Sequence, residues 1–107
     1  MQSTPMLVYV TVPDRETAYE LAQDAVASGV AAGANISGPC HSVYRWQGKV
    51  KSAPEWQIFF QTSAFDALAS HLARLHPHIT PCIIGMKLDA GLPAFLEWIA
   101  DSGAGKC

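Results

Sequence analysis

The chain has 107 residues, of which 50% are hydrophobic and 15% charged, with a formal net charge of -2 and a pI near 6.0. That length fills one core and leaves no chain for a second, and seven scattered Lys and Arg exclude the basic footprint of a nucleic-acid or membrane-surface binder. So apolar a composition in so small a protein predicts association with other copies, because a monomer has too little interior to hide it.

Met6 to Val12 is β-rich and apolar at nearly every position, which predicts a strand covered on both faces. Pro13-Asp14 opens a helix, with Asp14 placed to cap free amides and Glu16 favoured by the dipole. Ala18, Leu21, Ala22, Ala25 and Val26 recur at helical spacing as its apolar stripe, Glu20, Gln23 and Asp24 face water, and Gly29 stops it. Val30 to Ile36 returns as a strand that Ser37-Gly38-Pro39 bends or bulges. His41 to Trp46 continues that strand, and Val50 to Thr62 pairs back on it. Tyr44 and Trp46, two apart, share one strand face, with Val43 and Arg45 on the other. Gln47-Gly48 is the turn between them, since glycine supplies the positive φ of a tight reversal.

Ser63-Ala64-Phe65-Asp66 has the form of a capping box. Phe65, Leu68, Leu72 and Leu75 give a second helical stripe, which Pro77 ends. Thr80 to Leu88 reads as the last main strand and Leu92 to Ala100 as a short third helix. Residues 1–107 are expected to form a single domain, with flexible ends at 1–5 and 102–107.

The order β-α-β-β-α-β predicts an α+β fold of the ferredoxin-like, split βαβ kind: an antiparallel sheet with helices on one face. Two helices shield only that face, yet Leu7 to Val10, Ile58 to Phe60 and Ile83-Ile84 are consecutive apolar residues. Alternation sends half of them to the opposite face, and copies of the same chain are the simplest cover. Residues Met1 to Pro5 lack the features of a secretion signal, and no apolar stretch is long enough to span a bilayer. Three irregularly spaced cysteines make no disulfide framework, so the expected setting is cytoplasmic and reducing.

The hairpin letters Tyr44-Arg45-Trp46-Gln47-Gly48-Lys49-Val50 closely resemble the YRWxGKV signature of CutA, the divalent-cation tolerance family. Four further blocks agree in order: Val10-Thr11-Val12-Pro13-Asp14; Ala31-Ala32-Gly33-Ala34-Asn35-Ile36; Leu75-His76-Pro77 with Pro81-Cys82-Ile83-Ile84; and Gly91-Leu92-Pro93 running to Trp98-Ile99. The resemblance implies a ferredoxin-like subunit in a tight trimer built like the nitrogen-regulatory PII proteins, associated with tolerance of copper and other divalent cations, without an established enzymatic activity. The chain departs from that pattern where a cysteine is Gly33, a lysine Gln61, a tyrosine His78 and a glutamate Cys82. Three of these four positions are ones the resemblance places near an intersubunit pocket, together with Tyr44, Trp46 and Trp56.

For metal, His76, His78 and Cys82 offer imidazole and thiolate, the donors that copper and zinc prefer. An extended segment would hold His78 and Cys82 roughly 13 Å apart, so a bend or a second chain is required. The alternative is that Cys82 is a small buried hydrophobe and His76 serves a helix end. Cys40 and His41 are a second candidate, able to chelate only if a bulge turns them to one side. Arg45 and Lys49 either pair with Glu55, line a small anion pocket, or are solvated strand charges. Three roles follow: a trimer that binds copper or another divalent cation, a PII-like module that holds a small molecule or protein partner in its intersubunit clefts, or a very stable structural trimer that anchors other proteins. None is an enzyme.

Overall fold

The computed structural model describes residues 4–102; residues 1–3 and 103–107, with Cys107 and most of the ends expected to be flexible (1–5 and 102–107), lie outside it. The first strand, β1 (Met6–Val12), leads into helix α1 (Arg15–Ala27). As the sequence predicts, Asp14 caps this helix, its Oδ1 accepting from the Thr17 amide at 2.8 Å. Gly29, at φ 80°, turns the chain away from it. Two long strands follow, β2 (Gly33–Trp46) and β3 (Lys49–Thr62), then helix α2 (Phe65–Leu75), strand β4 (Ile83–Lys87) and helix α3 (Pro93–Ser102). No helix among the described residues is long and apolar enough to cross a membrane.

The four strands form one antiparallel sheet in the order β2-β3-β1-β4. Its inner pair, β1 and β3, carries the core: Val8 lies opposite Phe60 and Val10 opposite Ile58. All four are fully buried, under Ala18, Leu21, Ala22 and Ala25 of α1 and Leu68 and Leu72 of α2. Each large side chain so buried contributes about 1.5–3 kcal/mol.

Several local expectations change. Val26 and Leu75 are 40% and 48% exposed: Val26 sits about one helical step around from Ala25, and Leu75 is the last residue of its helix. The Ser63 capping box does not form: Thr62 Oγ1 accepts from the Ala64 amide, and Ser63 Oγ donates to the Ala100 carbonyl instead. The last strand is shorter than Thr80–Leu88, since the segment before Ile83 is a loop tied elsewhere. The bend in β2 is a register shift between Ser37 and Cys40, with a cis Gly38–Pro39 bond inside it. A Cβ on Gly38 would stand 2.6 Å from the Trp56 ring, so only glycine lets that indole lie against the chain.

Beyond this bulge β2 and β3 leave the sheet as a two-stranded ribbon, which gives the molecule its 43 Å long axis. The tip closes in two residues, Trp46 pairing with Lys49, and both turn residues have positive φ: Gln47 at 51° and Gly48 at 78°. That is the primed turn whose twist matches the strands. Val43 and Val50 on the ribbon are each 69% exposed. The face of the sheet away from α1 and α2 carries Leu7, Tyr9, Phe59, Ile84 and Met86, placed together by the register Tyr9–Phe59, Tyr9–Ile84 and Leu7–Met86.

Candidate functional site

The loop from His76 to Cys82 folds against the open face and is anchored by one buried side chain. His76 is 7% exposed. Its Nε2 donates to the Thr11 carbonyl at 2.7 Å, and its Nδ1 accepts from the His78 amide at 3.1 Å. Burial pushes the imidazole below the ordinary histidine range, and the nearby His78 adds to this, while the Thr11 carbonyl and Glu55 pull the other way. With both ring nitrogens engaged, His76 is a clamp for the loop and has no free lone pair for a metal. Among the described residues no three His, Cys, Asp or Glu side chains are grouped so as to hold a metal ion.

The clamp shapes a groove of about 820 Å3 between this loop, the open sheet face and the ribbon, lined by Tyr9, Thr11, Tyr44, Trp46, Lys51, Glu55, His78 and Cys82 among others. The two-residue turn sets the ribbon side, because a Trp46–Lys49 pair makes Tyr44 face Lys51 across the strands. Tyr9 is held from two directions: its ring lies 5.2 Å from that of Phe59, and its hydroxyl accepts from Gln57 Nε2 at 2.8 Å, while Gln57 Oε1 accepts from Ser37 at 2.9 Å.

Of the residues singled out in the sequence, the groove gathers Tyr44, Trp46, His78 and Cys82. Trp56 is not there; it packs against the core on the helix side. Gln61 sits further along the open face, its Nε2 donating to Asn35 Oδ1 at 2.9 Å. Cys40 and His41 resume regular pairing just past the bulge, opposite Glu55 and Pro54, so they point to opposite sides and do not form a chelating pair. Arg45 and Lys49 do not line the groove, and neither is ion-paired with Glu55 among the described residues. Lys51 and Tyr9 were missed. Counting back from the turn in steps of two would have put Lys51 opposite Tyr44 and Glu55 on the same face.

A profile of the CutA1 divalent ion tolerance protein matches residues 6–102. The chain belongs to the CutA1 family. It is 36% identical over 99 residues to the chloroplastic protein CutA of Arabidopsis thaliana, covering 91% of this chain and 54% of that one. It is 31% identical over 97 residues to the divalent-cation tolerance protein CutA of Archaeoglobus fulgidus, covering 89% of this chain and 94% of that one. The chain thus spans about half the length of the plant relative and nearly all of the archaeal one. The crystal structure of CutA from Xylella fastidiosa superposes with a TM-score of 0.89 at 31% identity, covering 94% of this chain and 98% of that one. Membership in CutA1 accounts for the ferredoxin-like sheet, the YRW ribbon and the closing helix together.

Proposed function

We propose that this CutA1 chain acts in divalent-cation tolerance as a homotrimer, binding copper or another divalent cation without enzymatic activity. The observation that carries the assembly is the uncovered sheet face, where Ile84 and Met86 are 54% and 49% exposed and lie beside Leu7, Tyr9 and Phe59. Three is the number of copies that the family resemblance implies. The cation reading rests on the names of the relatives and on donor chemistry. His78 and Cys82 line one groove, and a third ligand would come from a neighbouring copy, since the described residues of a single chain gather too few. Among the described residues Cys40 and Cys82 are free cysteines, which suits a reducing cytoplasm. A non-catalytic role fits the opposed directions of Cys40 and His41, which leave that thiol without an adjacent base.

Light scattering tests the assembly: a particle of 11.5 kDa at all concentrations overturns it. Calorimetric titration of the reduced protein with copper tests the site. Saturable binding that weakens in His78→Ala and in Cys82→Ser is expected, and no loss in either variant removes those residues from the role. A second reading, a small-molecule module using intersubunit clefts, is favoured by the groove itself, which mixes aromatic walls with both signs of charge.

A further inference from the structure

Two charged side chains of opposite sign stand in the groove. Lys51 and Glu55 both line it, and neither makes an ion pair among the described residues. They stand four residues apart on β3 and therefore share a face. Their Cα separation, about 13 Å by strand rise, is shortened from both ends by the side chains themselves. Aromatic surface lies alongside: Tyr44 is the direct cross-strand neighbour of Lys51, Trp46 is two residues further on the same face, and Tyr9 forms a wall fixed by Phe59 and Gln57. The opposite wall, from Pro77 to Cys82, is pinned through His76 to Thr11. Both sides are thus organised before anything binds, which lowers the entropy cost of binding.

We propose that the groove binds a small zwitterion carrying an aromatic ring, of the aromatic amino-acid class. Its carboxylate faces Lys51, its ammonium faces Glu55, and its ring lies against Tyr44 and Trp46. A simple anion would meet the Glu55 carboxylate, and a simple cation the Lys51 ammonium; a ligand with both charges satisfies each. The aromatic walls select a flat apolar body, by ring packing and by contact of the ammonium with a ring face. This names the ligand class for the second reading above and rests on it.

The test is calorimetric titration of the intact protein with L-phenylalanine, 3-phenylpropionate, which lacks the ammonium, and phenethylamine, which lacks the carboxylate. Phenylalanine is expected to bind saturably, one per chain, and each analogue at least about tenfold more weakly, the effect of losing one ionic contact. Lys51→Met should weaken phenylalanine but not phenethylamine, and Glu55→Gln should weaken phenylalanine but not 3-phenylpropionate. Absence of saturable phenylalanine binding to the wild type overturns the proposal, as does equal binding of all three compounds. The wild-type comparison decides the matter even where a variant folds poorly. The outcomes stay separate: saturable binding of an analogue as tight as that of phenylalanine overturns the zwitterion but leaves the small-molecule reading standing, whereas binding of none of the three compounds counts against both.

Discussion

His76 Nε2 and the Thr11 carbonyl, 65 residues apart in the chain, meet at 2.7 Å in a buried contact. That one bond ties the end of α2 to β1 and holds the groove's loop in place. It also makes the loop sensitive to acid. The folded state lowers the His76 pKa through burial, so the unfolded chain takes up the proton first. The stability that neutral His76 contributes is complete above about pH 6.5 and is lost as pH falls through the lower folded value. The melting temperature should therefore drop on acidification from pH 7 to 5, and less so in His76→Gln, which cannot titrate. Equal drops in the two proteins would rule out His76 as the cause. Asp14, whose carboxyl is lowered by the Thr17 amide, responds only at more acid pH.

Leu68 lies at 0% exposure between α2 and the buried faces of β1 and β3. Leu68→Ala should cost about 2–5 kcal/mol, the transfer term plus the cavity. Urea unfolding measures it, and a loss under about 1 kcal/mol would mean that the site collapses freely.

Gly33 and Gln61 are direct partners across β2 and β3. A Cβ on Gly33 would stand 2.8 Å from Gln61 Oε1 and 3.0 Å from the Trp98 ring. Gly33→Ala is expected to destabilise by about 1–3 kcal/mol through overpacking. Gln61→Ala in the same chain should recover part of that loss, because one of the two obstructing groups is gone. Strict additivity in the double-mutant cycle would show that the two positions are independent.

At the ribbon tip Gln47 occupies left-handed space, at φ 51°, a conformation costing a side-chain-bearing residue about 1–2 kcal/mol. Asparagine tolerates it better, and Asn-Gly is the preferred pair for this turn. Gln47→Asn should raise stability by about 0.5–1 kcal/mol, part of that strain, in chemical denaturation. A decrease would mean that Gln47 has another function there.

In the proposed assembly Ile84 is buried against another copy, although it is 54% exposed in a single chain. Ile84→Asp should then reduce the particle seen by light scattering to the 11.5 kDa of one chain, since an unpaired carboxylate cannot be buried cheaply. An unchanged particle size would place the interface elsewhere.

Much of this architecture was legible in the residues. The consecutive apolar run Met6 to Val12, the Asp14 cap, the Gly29 stop and the Gln47-Gly48 turn are local signals, each read within a few positions because backbone preference acts over that range. The ends of elements were less legible. Ser63 looked like a cap until the Ala100 carbonyl took its hydroxyl, and Thr80 looked like strand before the loop was pinned elsewhere. Those outcomes depend on partners brought in from distant sequence.

The sequence by itself determined the order of strands and helices, the family and the existence of an unshielded apolar face, because periodicity and turn chemistry are written along the chain. Only the tertiary structure decided that His76 is a clamp, that Trp56 belongs to the helix side, and that Lys51 and Glu55 share a groove with Tyr9 and His78. A side chain's role depends on which groups satisfy its polar atoms, and here those groups lie tens of residues away.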